Sequence, residues 1–355
     1  MMAQLYSNLK FLKFREQLDA LARGHAASPV HIRIKPTNRC NHNCWYCAYR
    51  VDNLTLGEDM DVASAIPLDT MFGIVEDVID MKVRAVTFSG GGEPLLYKGL
   101  PEVVRRLATG GVKVATLTNG ANLKGTMAEA FAEHGAWVRV SLDAWDDASY
   151  AQARGAPPDG FSRLIDNLQA FAARGSRCVL GVSFIVSDVN APHLAGVCAR
   201  LKDAGVGHVK ISGAVVANGR DENNAYHRRI QPLVAEQIAQ AKRLEVPGFS
   251  IIDHYHELGD CFEKSYRSCP FLNFLTVIGA DGGVYSCQDK AYTGSGRIGF
   301  LNGRRFKEFW FSEDIQERLR SMDPALHCRH HCVAHNKNLI LHDYLSVDDR
   351  HAEFV

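Results

Sequence analysis

The stretch HIRIKPTNRCNHNCWYC, residues 31–47, is the segment from which the fold can be deduced. It opens with a short apolar run enriched in β-branched residues over His31–Ile34, which is typical of a β-strand. The run leads directly into a loop that holds Cys40, Cys44 and Cys47. We therefore predict a first strand whose carboxyl end delivers three thiols to one place.

Five similar apolar runs follow, and helical patterns lie between them, several closed by a glycine. Such alternation indicates βαβ units with right-handed crossovers and a parallel sheet. Six units are too few for a closed eight-stranded barrel. We predict an α/β fold, a partial (β/α)6 TIM-like barrel, with a doubly wound sheet as the alternative. The predicted strands are His31–Ile34, Ala85–Phe88, Val112–Leu117, Trp137–Leu142, Cys178–Val186 and His208–Ile211, and the predicted helices include Leu68–Met81, Leu100–Ala108, Thr126–His134, Phe161–Arg174 and Pro192–Ala204.

The pattern changes after the sixth strand, and we predict three parts of the chain. Residues 1–29 form an N-terminal helical segment, and residues 30–225 form the partial barrel. Residues 226–355 begin with a linker helix, over Tyr226–Leu244, and continue as a region rich in cysteine, histidine and glycine. Ligands of such folds bind at the carboxyl ends of the strands, so we expect the functional site there.

The balance of charges argues against an obligatory polyanionic partner. The 355 residues include 40 lysines and arginines and 40 aspartates and glutamates. We therefore expect neither nucleic acid nor an anionic membrane as a partner. The sequence has no run of about 18 apolar residues and no signal-peptide pattern, so we expect a cytoplasmic protein.

Ten cysteines in a reducing compartment favour metal ligation over disulfides. Cys178 and Cys198 stand alone and are interpreted as small buried residues. The three thiolates of the first loop would leave one iron of a four-iron cluster without a protein ligand, and such an iron can bind a small chelating cofactor. A zinc knuckle is the alternative, with His42 as the nearby fourth ligand.

The spacing Cys40-x3-Cys44-x2-Cys47, with aromatic Tyr46 before the last cysteine, resembles the signature loop of the radical S-adenosylmethionine (SAM) superfamily. The resemblance implies a [4Fe-4S] cluster with an open iron site that binds the amino and carboxylate groups of SAM. An electron from the cluster then cleaves SAM to methionine and a 5′-deoxyadenosyl radical. The resemblance also implies that Tyr46 lies against the adenine.

A glycine-rich segment after the second predicted strand extends this resemblance. SGGGEP, residues 89–94, resembles the family's Gly-Gly-Glu-Pro segment, which lies at the methionine amino group. Glycines allow close approach of the backbone to a ligand, and a carboxylate suits a cationic amine. The resemblance therefore implies that Gly91, Gly92 and Glu93 bind SAM, with a plain glycine turn as the alternative.

Polar residues at the ends of the next strands complete the implied cofactor site. Asn119 follows the third strand and Ser141 ends the fourth, where barrel strands deliver functional groups. Both are predicted cofactor-binding residues, whereas Asp143 is either functional or structural. Arg154 resembles an arginine that pairs with the methionine carboxylate in related enzymes, with a solvated surface arginine as the alternative.

A second cysteine group lies in the C-terminal region. Cys269-x12-Gly282-x4-Cys287 resembles the opening of the SPASM and twitch extensions, which carry auxiliary iron–sulfur clusters, and Cys328-x3-Cys332 supplies a later pair. A full SPASM extension has more cysteines, so the resemblance implies a shorter twitch-like domain with one auxiliary [4Fe-4S] cluster. These four cysteines are its predicted ligands.

Two alternatives to this ligand set remain open. Cys261 could replace Cys328 or Cys332 as a cluster ligand. Zinc could replace iron, because imidazole suits zinc and four histidines flank the last cysteine pair. These histidines are His327, His330, His331 and His335.

The implied reaction is abstraction of hydrogen from a C–H bond of the substrate. Dehydrogenation, epimerisation and elimination are all compatible with the sequence, and Cys261 is the candidate hydrogen donor for an epimerisation. The expected electron donor is a flavodoxin- or ferredoxin-type protein.

The substrate is less narrowly defined than the chemistry. Only about 30 residues precede the first strand, too few for the peptide-recognition domain of many peptide-modifying relatives. We therefore favour a small polar metabolite, such as a sugar, an aminoglycoside or a nucleotide-linked intermediate. A peptide-modifying enzyme is the alternative, and a non-catalytic iron–sulfur or zinc module is the alternative of another class.

Overall fold

The computed structural model describes residues 5–255, 261–348, 350, 351, 353 and 354, and its centre is one ten-stranded sheet. The strands are β1 (His31–Ile34), β2 (Ala85–Phe88), β3 (Lys113–Thr118), β4 (Gly135–Ser141), β5 (Val179–Val186), β6 (His208–Gly213), β7 (Ser250–Asp253), β8 (Leu275–Ile278), β9 (Gly283–Tyr285) and β10 (Arg297–Phe300). Their spatial order is β10-β9-β8-β1-β2-β3-β4-β5-β6-β7.

Parallel pairing dominates this sheet. Each strand from β1 to β6 pairs in parallel with the next one along the chain. β8 returns to the other side of β1 and is also parallel, with His31 opposite Leu275. β9 and β10 then add antiparallel strands. The described sheet ends at β7 and β10 and does not close, which confirms the predicted α/β fold with an open, partial barrel.

Helices connect the parallel strands, as right-handed βαβ units require. In the second of them, Leu100, Val103, Val104 and Leu107 follow the three- and four-residue spacing of a helix face, and all are fully buried. The helices are α1 (Arg15–Ala22), α2 (Leu68–Asp80), α3 (Leu100–Thr109), α4 (Gly125–His134), α5 (Asp147–Arg154), α6 (Gly160–Ala172), α7 (Leu194–Asp203), α8 (Arg220–Lys242), α9 (Phe306–Phe311), α10 (Glu313–Arg320), α11 (Pro324–His327) and α12 (His335–Ser346).

The two faces of the sheet differ in burial. One face packs against helices in the main hydrophobic core, and residues such as Ile34, Val140 and Ile211 on this face are completely buried. The opposite face, here called the inner face, carries half-buried side chains at alternate positions of β1, β4, β5 and β6. Because successive side chains of a strand point to opposite faces, this alternation shows that the inner face is open to solvent.

All six predicted strands are present, with end positions shifted by at most a few residues. The short strands β7, β8, β9 and β10 were not predicted. The helix predicted over Tyr226–Leu244 begins earlier, at Arg220, and packs against α7. It runs through the boundary predicted between residues 225 and 226, so the division of the chain there stays a prediction. None of the described helices has the length and apolar character needed to cross a membrane.

Candidate cluster and cofactor site

The cysteine loop after β1 is anchored by the last turn of α5. The Asn43 N–H donates to the Arg154 carbonyl at 2.7 Å, and the Trp45 N–H donates to the Ala153 carbonyl at 3.3 Å. Carbonyls of a last helical turn have no acceptor role within the helix, so they are available for such contacts. The end of α5 therefore positions the backbone on both sides of Cys44.

The glycine-rich segment packs directly against the same loop. The Glu93 N–H donates to the Arg39 carbonyl at 2.8 Å. A Cβ atom on Gly92 would lie 2.0 Å from the Arg39 carbonyl oxygen, and one on Gly91 would lie 2.1 Å from the Asn38 side-chain oxygen. Neither position has room for a side chain, so the close contact of the two segments requires glycine.

Glu93 joins the ends of β2 and β3 from below this contact. Its buried carboxylate accepts hydrogen bonds from the Thr118 hydroxyl at 2.6 Å, the Asn119 N–H at 2.7 Å and the Leu95 N–H at 2.9 Å. Burial raises the pKa of Glu93, and these donors act against that rise. The carboxylate thus has donors from the chain itself, and its predicted contact with a methionine amino group stays a prediction.

Asn119 connects the third strand to the cysteine loop. Its side-chain amide donates to the Asn41 Oδ1 atom at 2.8 Å, and its own oxygen accepts from the Ala121 N–H at 3.0 Å. Ser141 ends β4 on the inner face, directly opposite Ser183 of β5, and is half-buried. Both predicted cofactor residues therefore lie at the carboxyl ends of strands, near the loop.

Arg154 and Asp143 form a fully buried ion pair beneath the cysteine loop. The Arg154 Nη2 atom lies 2.9 Å from the Asp143 Oδ2 atom, and its Nε–H donates to the Leu142 carbonyl at 3.0 Å. The Tyr46 hydroxyl donates to the same Asp143 oxygen at 2.5 Å. The Arg154 Nη1 atom is 3.8 Å from the Cys44 sulfur. Asp143 is therefore structural in this arrangement, and it balances the Arg154 charge.

The electrostatics of this pair favour the ionised arginine. Burial alone would lower the pKa of Arg154, but Tyr46, Cys44 and Asp143 together hold it well above its ordinary value. Burial raises the pKa of Asp143, whereas the Arg154 charge lowers it. The contacts predicted for Arg154 with the methionine carboxylate and for Tyr46 with the adenine stay predictions.

The sulfurs of the loop are better suited to binding iron than to a metal-free state. Burial raises the pKa of Cys40 and of Cys44, so both sulfurs are protonated without a metal. A bound metal deprotonates a coordinating thiol and removes this penalty. Within the described residues, no three cysteine, histidine or acidic side chains already stand at metal-binding geometry. The His42 ring, proposed as the zinc alternative's ligand, packs edge-on against Tyr150 at 5.7 Å.

The four predicted ligands of the second cysteine group influence one another. Burial raises the pKa of Cys287 well above its ordinary value, and Asp289 and the thiols of Cys332, Cys328 and Cys269 act in the same direction. Like-charge effects of this kind require proximity. The four thiols, up to 63 positions apart in sequence from Cys269 to Cys332, therefore lie in one region, although within the described residues they do not stand at metal-binding geometry.

Cys261 lies beside this second group. It is buried, and its carbonyl accepts from the Cys332 N–H at 3.0 Å and from the Lys264 ammonium group at 2.7 Å. The Lys264 ammonium group also donates to the His330 carbonyl at 2.9 Å. The position of Cys261 is compatible with a ligand role and with a hydrogen-donor role, so both roles stay predictions.

The histidines around the last cysteine pair have different environments. Burial, with Lys290 and Lys264 nearby, lowers the pKa of His330 to about 3, and its Nε2 atom has no partner in the described part of the chain. The His335 ring stacks on Tyr266 with centroids 5.6 Å apart. A neutral His330 whose Nε2 atom has no partner among the described residues is available to bind zinc, so the zinc alternative stays open for this group.

Two residues that link the site were not predicted from the sequence. The buried Lys35 ammonium group donates to the Gly90 carbonyl and, at 2.9 Å, to the Tyr49 hydroxyl. That hydroxyl donates in turn to the Gln288 carbonyl at 2.9 Å. Lys35 and Tyr49 thus connect the glycine segment to the chain beside Cys287. The alternation of charged and apolar residues in HIRIK was the signal that Lys35 faces the interior of the barrel.

Comparisons with known proteins agree with this geometry. Residues 34–190 match the family model described as the Radical SAM superfamily. Proteins of this superfamily bind a [4Fe-4S] cluster and SAM, so the resemblance and these two cofactors are confirmed. The match includes the cysteine loop, the glycine segment and Arg154.

Curated relatives are similar to parts of the chain. GTP 3',8-cyclase 2 of Pseudomonas aeruginosa is 24% identical over 283 residues, which cover 77% of this chain and 71% of that protein. GTP 3',8-cyclase of Helicobacter pylori is 36% identical over 116 residues, or 32% of this chain and 34% of that protein. With several relatives, the chain thus aligns over only about a third to a half of their length.

Solved structures share the fold over most of the chain. SuiB of Streptococcus suis, bound to its precursor peptide SuiA, has a TM-score of 0.63 and 16% identity, covering 96% of this chain and 80% of that one. The protein anSMEcpe with bound AdoMet has a TM-score of 0.59 and 16% identity, covering 89% of this chain and 96% of that one. At this identity the likeness concerns the fold alone.

Proposed function

Because the chain belongs to the radical SAM superfamily, we propose that Cys40, Cys44 and Cys47 hold a [4Fe-4S] cluster whose open iron binds SAM. Bound there, the two cofactors would supply a 5′-deoxyadenosyl radical, the species that would abstract hydrogen from a substrate C–H bond. The observation that carries this proposal is the packing of the cysteine loop against Gly91 and Gly92 at the carboxyl ends of neighbouring strands.

The chain's own residues hold this site in place. The Arg154 and Asp143 pair, with the Tyr46 hydroxyl, fixes the loop around Cys44 from below. Glu93 fixes the ends of β2 and β3 relative to each other. A site held by buried ion pairs and hydrogen bonds needs little rearrangement when the cofactors bind.

We further propose one auxiliary [4Fe-4S] cluster, held by Cys269, Cys287, Cys328 and Cys332 in a twitch-like domain over residues 226–355. The proximity of these thiols supports it. A flavodoxin- or ferredoxin-type protein would supply the electron, in the cytoplasm. The auxiliary centre would accept an electron from the substrate radical in a dehydrogenation.

The proposed substrate is a small polar molecule with a C–H bond to be dehydrogenated or epimerised. The relatives named GTP 3',8-cyclase support a small, nucleotide-type substrate. The fold shared with SuiB, whose structure contains a precursor peptide, supports the peptide alternative. Production of deoxyadenosine in the presence of candidate metabolites or candidate peptides separates these two classes.

Replacement of Cys40, Cys44 and Cys47 together by alanine tests the main proposal. Anaerobically reconstituted protein should hold roughly eight irons from two four-iron clusters, and the triple variant should hold roughly half of them and form no deoxyadenosine. Cys198→Ala is the control, because that buried thiol belongs to neither group. Cleavage of SAM by the triple variant would contradict the proposal. Zinc in place of iron, or iron without SAM cleavage, would favour the non-catalytic module.

Cys261→Ala separates the two roles proposed for that residue. If Cys261 is the hydrogen donor, the variant keeps its iron and still abstracts hydrogen but forms no epimer. The wild type then incorporates deuterium from deuterated water into the epimer. If Cys261 is instead a cluster ligand, the variant loses or alters the auxiliary cluster. An oxidised product that does not depend on Cys261 would rule out the donor role.

A further inference from the structure

The strands β1 to β7, as the structure describes them, contribute positive side chains to the inner face of the sheet and no carboxylate. Strand pairing aligns Arg33 of β1, Arg139 of β4 and Lys210 of β6 on this face. Residues at paired positions of parallel strands project to the same side. The one acidic residue within β1 to β7, as the structure describes them, is Asp253, which pairs with Ile211 and so lies on the helix-covered face. The side chains that these strands contribute to the inner face therefore carry a net positive charge, and Asp289, which follows β9, is a carboxylate that acts on Arg33.

Arg139 is an oriented cation on this face. Its Nη1 atom donates to the Tyr6 hydroxyl at 2.8 Å, and its guanidinium carbon lies 5.6 Å from the centre of the Trp137 ring. Its Nε–H is buried and has no hydrogen-bond partner in the described residues. Buried donors without partners are rare in folded proteins and call for a ligand or water. Arg139 thus presents a donor without a partner on the inner face.

Arg33 presents the same feature from the first strand. Its Nε–H is also buried without a partner among the described residues. Burial lowers the pKa of Arg33, and the positive charge of Arg139 lowers it further, whereas Asp289 raises it. Strand pairing places both guanidinium groups on the inner face, where their like charges repel each other. An anion between them would turn this repulsion into attraction.

The cysteine sulfurs do not account for the whole of this charge. Burial, and then Arg33, lowers the pKa of Lys35, just beyond β1, to about 7, whereas Asp289, Cys47 and Cys287 act in the opposite direction. Ionised thiolates would therefore balance Lys35. Arg139 lies on β4, three strands away from β1, and its neighbours are Tyr6, Trp137 and His208. Its charge needs another partner.

We infer that the substrate carries an anionic group, a phosphate or a carboxylate, that binds between Arg33 and Arg139 on the inner face. This inference rests on the proposed function, because it takes the inner face as the substrate site. Guanidinium groups donate paired hydrogen bonds to both kinds of anion. A nucleotide-linked metabolite fits this site. A cationic aminoglycoside does not, because it would place like charges together.

Inorganic pyrophosphate and citrate are suitable probes, one for each kind of anion. We expect calorimetric titration of iron-loaded protein to show binding of at least one of them, and the tighter one identifies the anion. Arg139→Gln should weaken that binding roughly ten- to a hundred-fold, and Arg139→Lys should weaken it less, because the charge remains. Arg105→Gln is the control, since Arg105 is an exposed arginine on α3. It should bind the probe as the wild type does.

Equal affinity of the wild type and a folded, iron-loaded Arg139→Gln protein would overturn the inference. Failure of the wild type to bind either probe would also overturn it. If Arg139→Gln does not fold, Arg33→Lys gives the second measurement, with an unchanged affinity again overturning the inference. Probe binding needs no electron and no SAM cleavage. Failure of the proposed radical chemistry therefore leaves this test intact and is recognised separately by the absence of deoxyadenosine.

Discussion

The chain itself supplies hydrogen-bond or ion-pair partners for Glu93 and Arg154, two charged side chains around the cysteine loop. Glu93 and Arg154 were both predicted to bind the ends of the methionine group. In the structure Glu93 accepts three hydrogen bonds, and Arg154 pairs with Asp143. A buried charge is tolerated only with such partners. These residues therefore contribute first to the positioning of the loop.

Glu93→Gln tests this structural role. The glutamine side chain has one acceptor oxygen and an amide group that faces the Thr118, Asn119 and Leu95 donors. At least one donor loses its acceptor, so the free energy of unfolding should fall by about 1–3 kcal/mol. Chemical denaturation under anaerobic conditions measures the change. Glu102→Gln, on the exposed side of α3, should change the stability by less than about 0.5 kcal/mol.

An equally small loss for both variants would show that the Glu93 carboxylate is not needed by these donors.

The pKa shift of Glu93 is upward, opposite in direction to that of a salt-bridged carboxyl. The folded state holds the proton more tightly than the unfolded state, so ionisation of Glu93 costs stability as the pH rises above the ordinary glutamate range.

At the scale of the element, α5 is a short helix whose two ends are well defined. Asp146 and Ser149 form a capping box at its start. It ends at Gly155, which has a left-handed φ of 56°. The last carbonyls hold the backbone around Cys44. The position of the cysteine loop therefore depends on where α5 ends.

Gly155→Ala should disturb both the helix end and the cysteine loop. The left-handed conformation costs a residue with a Cβ atom about 1 kcal/mol. The new Cβ would also lie 3.2 Å from the Asn43 Cβ and 3.3 Å from its carbonyl oxygen. Thermal unfolding and iron content measure the two effects, and we expect both to fall.

Gly175→Ala is the matched control for this substitution. Gly175 follows α6 and has a φ of 60°, and a Cβ atom added there would meet nothing within 4 Å in the described part of the chain. The variant should lose similar stability but retain its iron. Equal iron contents of the two variants would show that the contact of Gly155 with Asn43 does not position the loop.

For the molecule as a whole, the C-terminal region completes the sheet of the barrel. β8 pairs with the free side of β1, so the strand that leads to the first cysteine group is central in the sheet. A hydrogen bond from the Tyr49 hydroxyl to the Gln288 carbonyl also joins the segments that follow β1 and β9. The two cysteine groups therefore belong to one continuous framework.

Acidification should destabilise this framework through buried neutral histidines such as His208. Burial, and then Arg139, lowers the pKa of His208 to about 4. Between about pH 4 and 6.5 the unfolded state binds a proton that the folded state does not, so stability rises with pH in this window. From pH 7 to pH 5 the wild type should lose about 2 kcal/mol more than His208→Gln. Denaturation curves at both values measure this difference, and identical pH dependence would contradict a neutral buried His208.

The sequence by itself determined the order of strands and helices and the position of the cysteine loop. These features depend on local spacing, because apolar runs, helix stops and three thiols on one loop act within a few residues of one another. Only the tertiary structure decided which partners meet: β8 with β1, and Arg154 with Asp143. Such contacts join residues distant in sequence. Their partners are selected by burial and charge in the folded chain, which no local pattern contains.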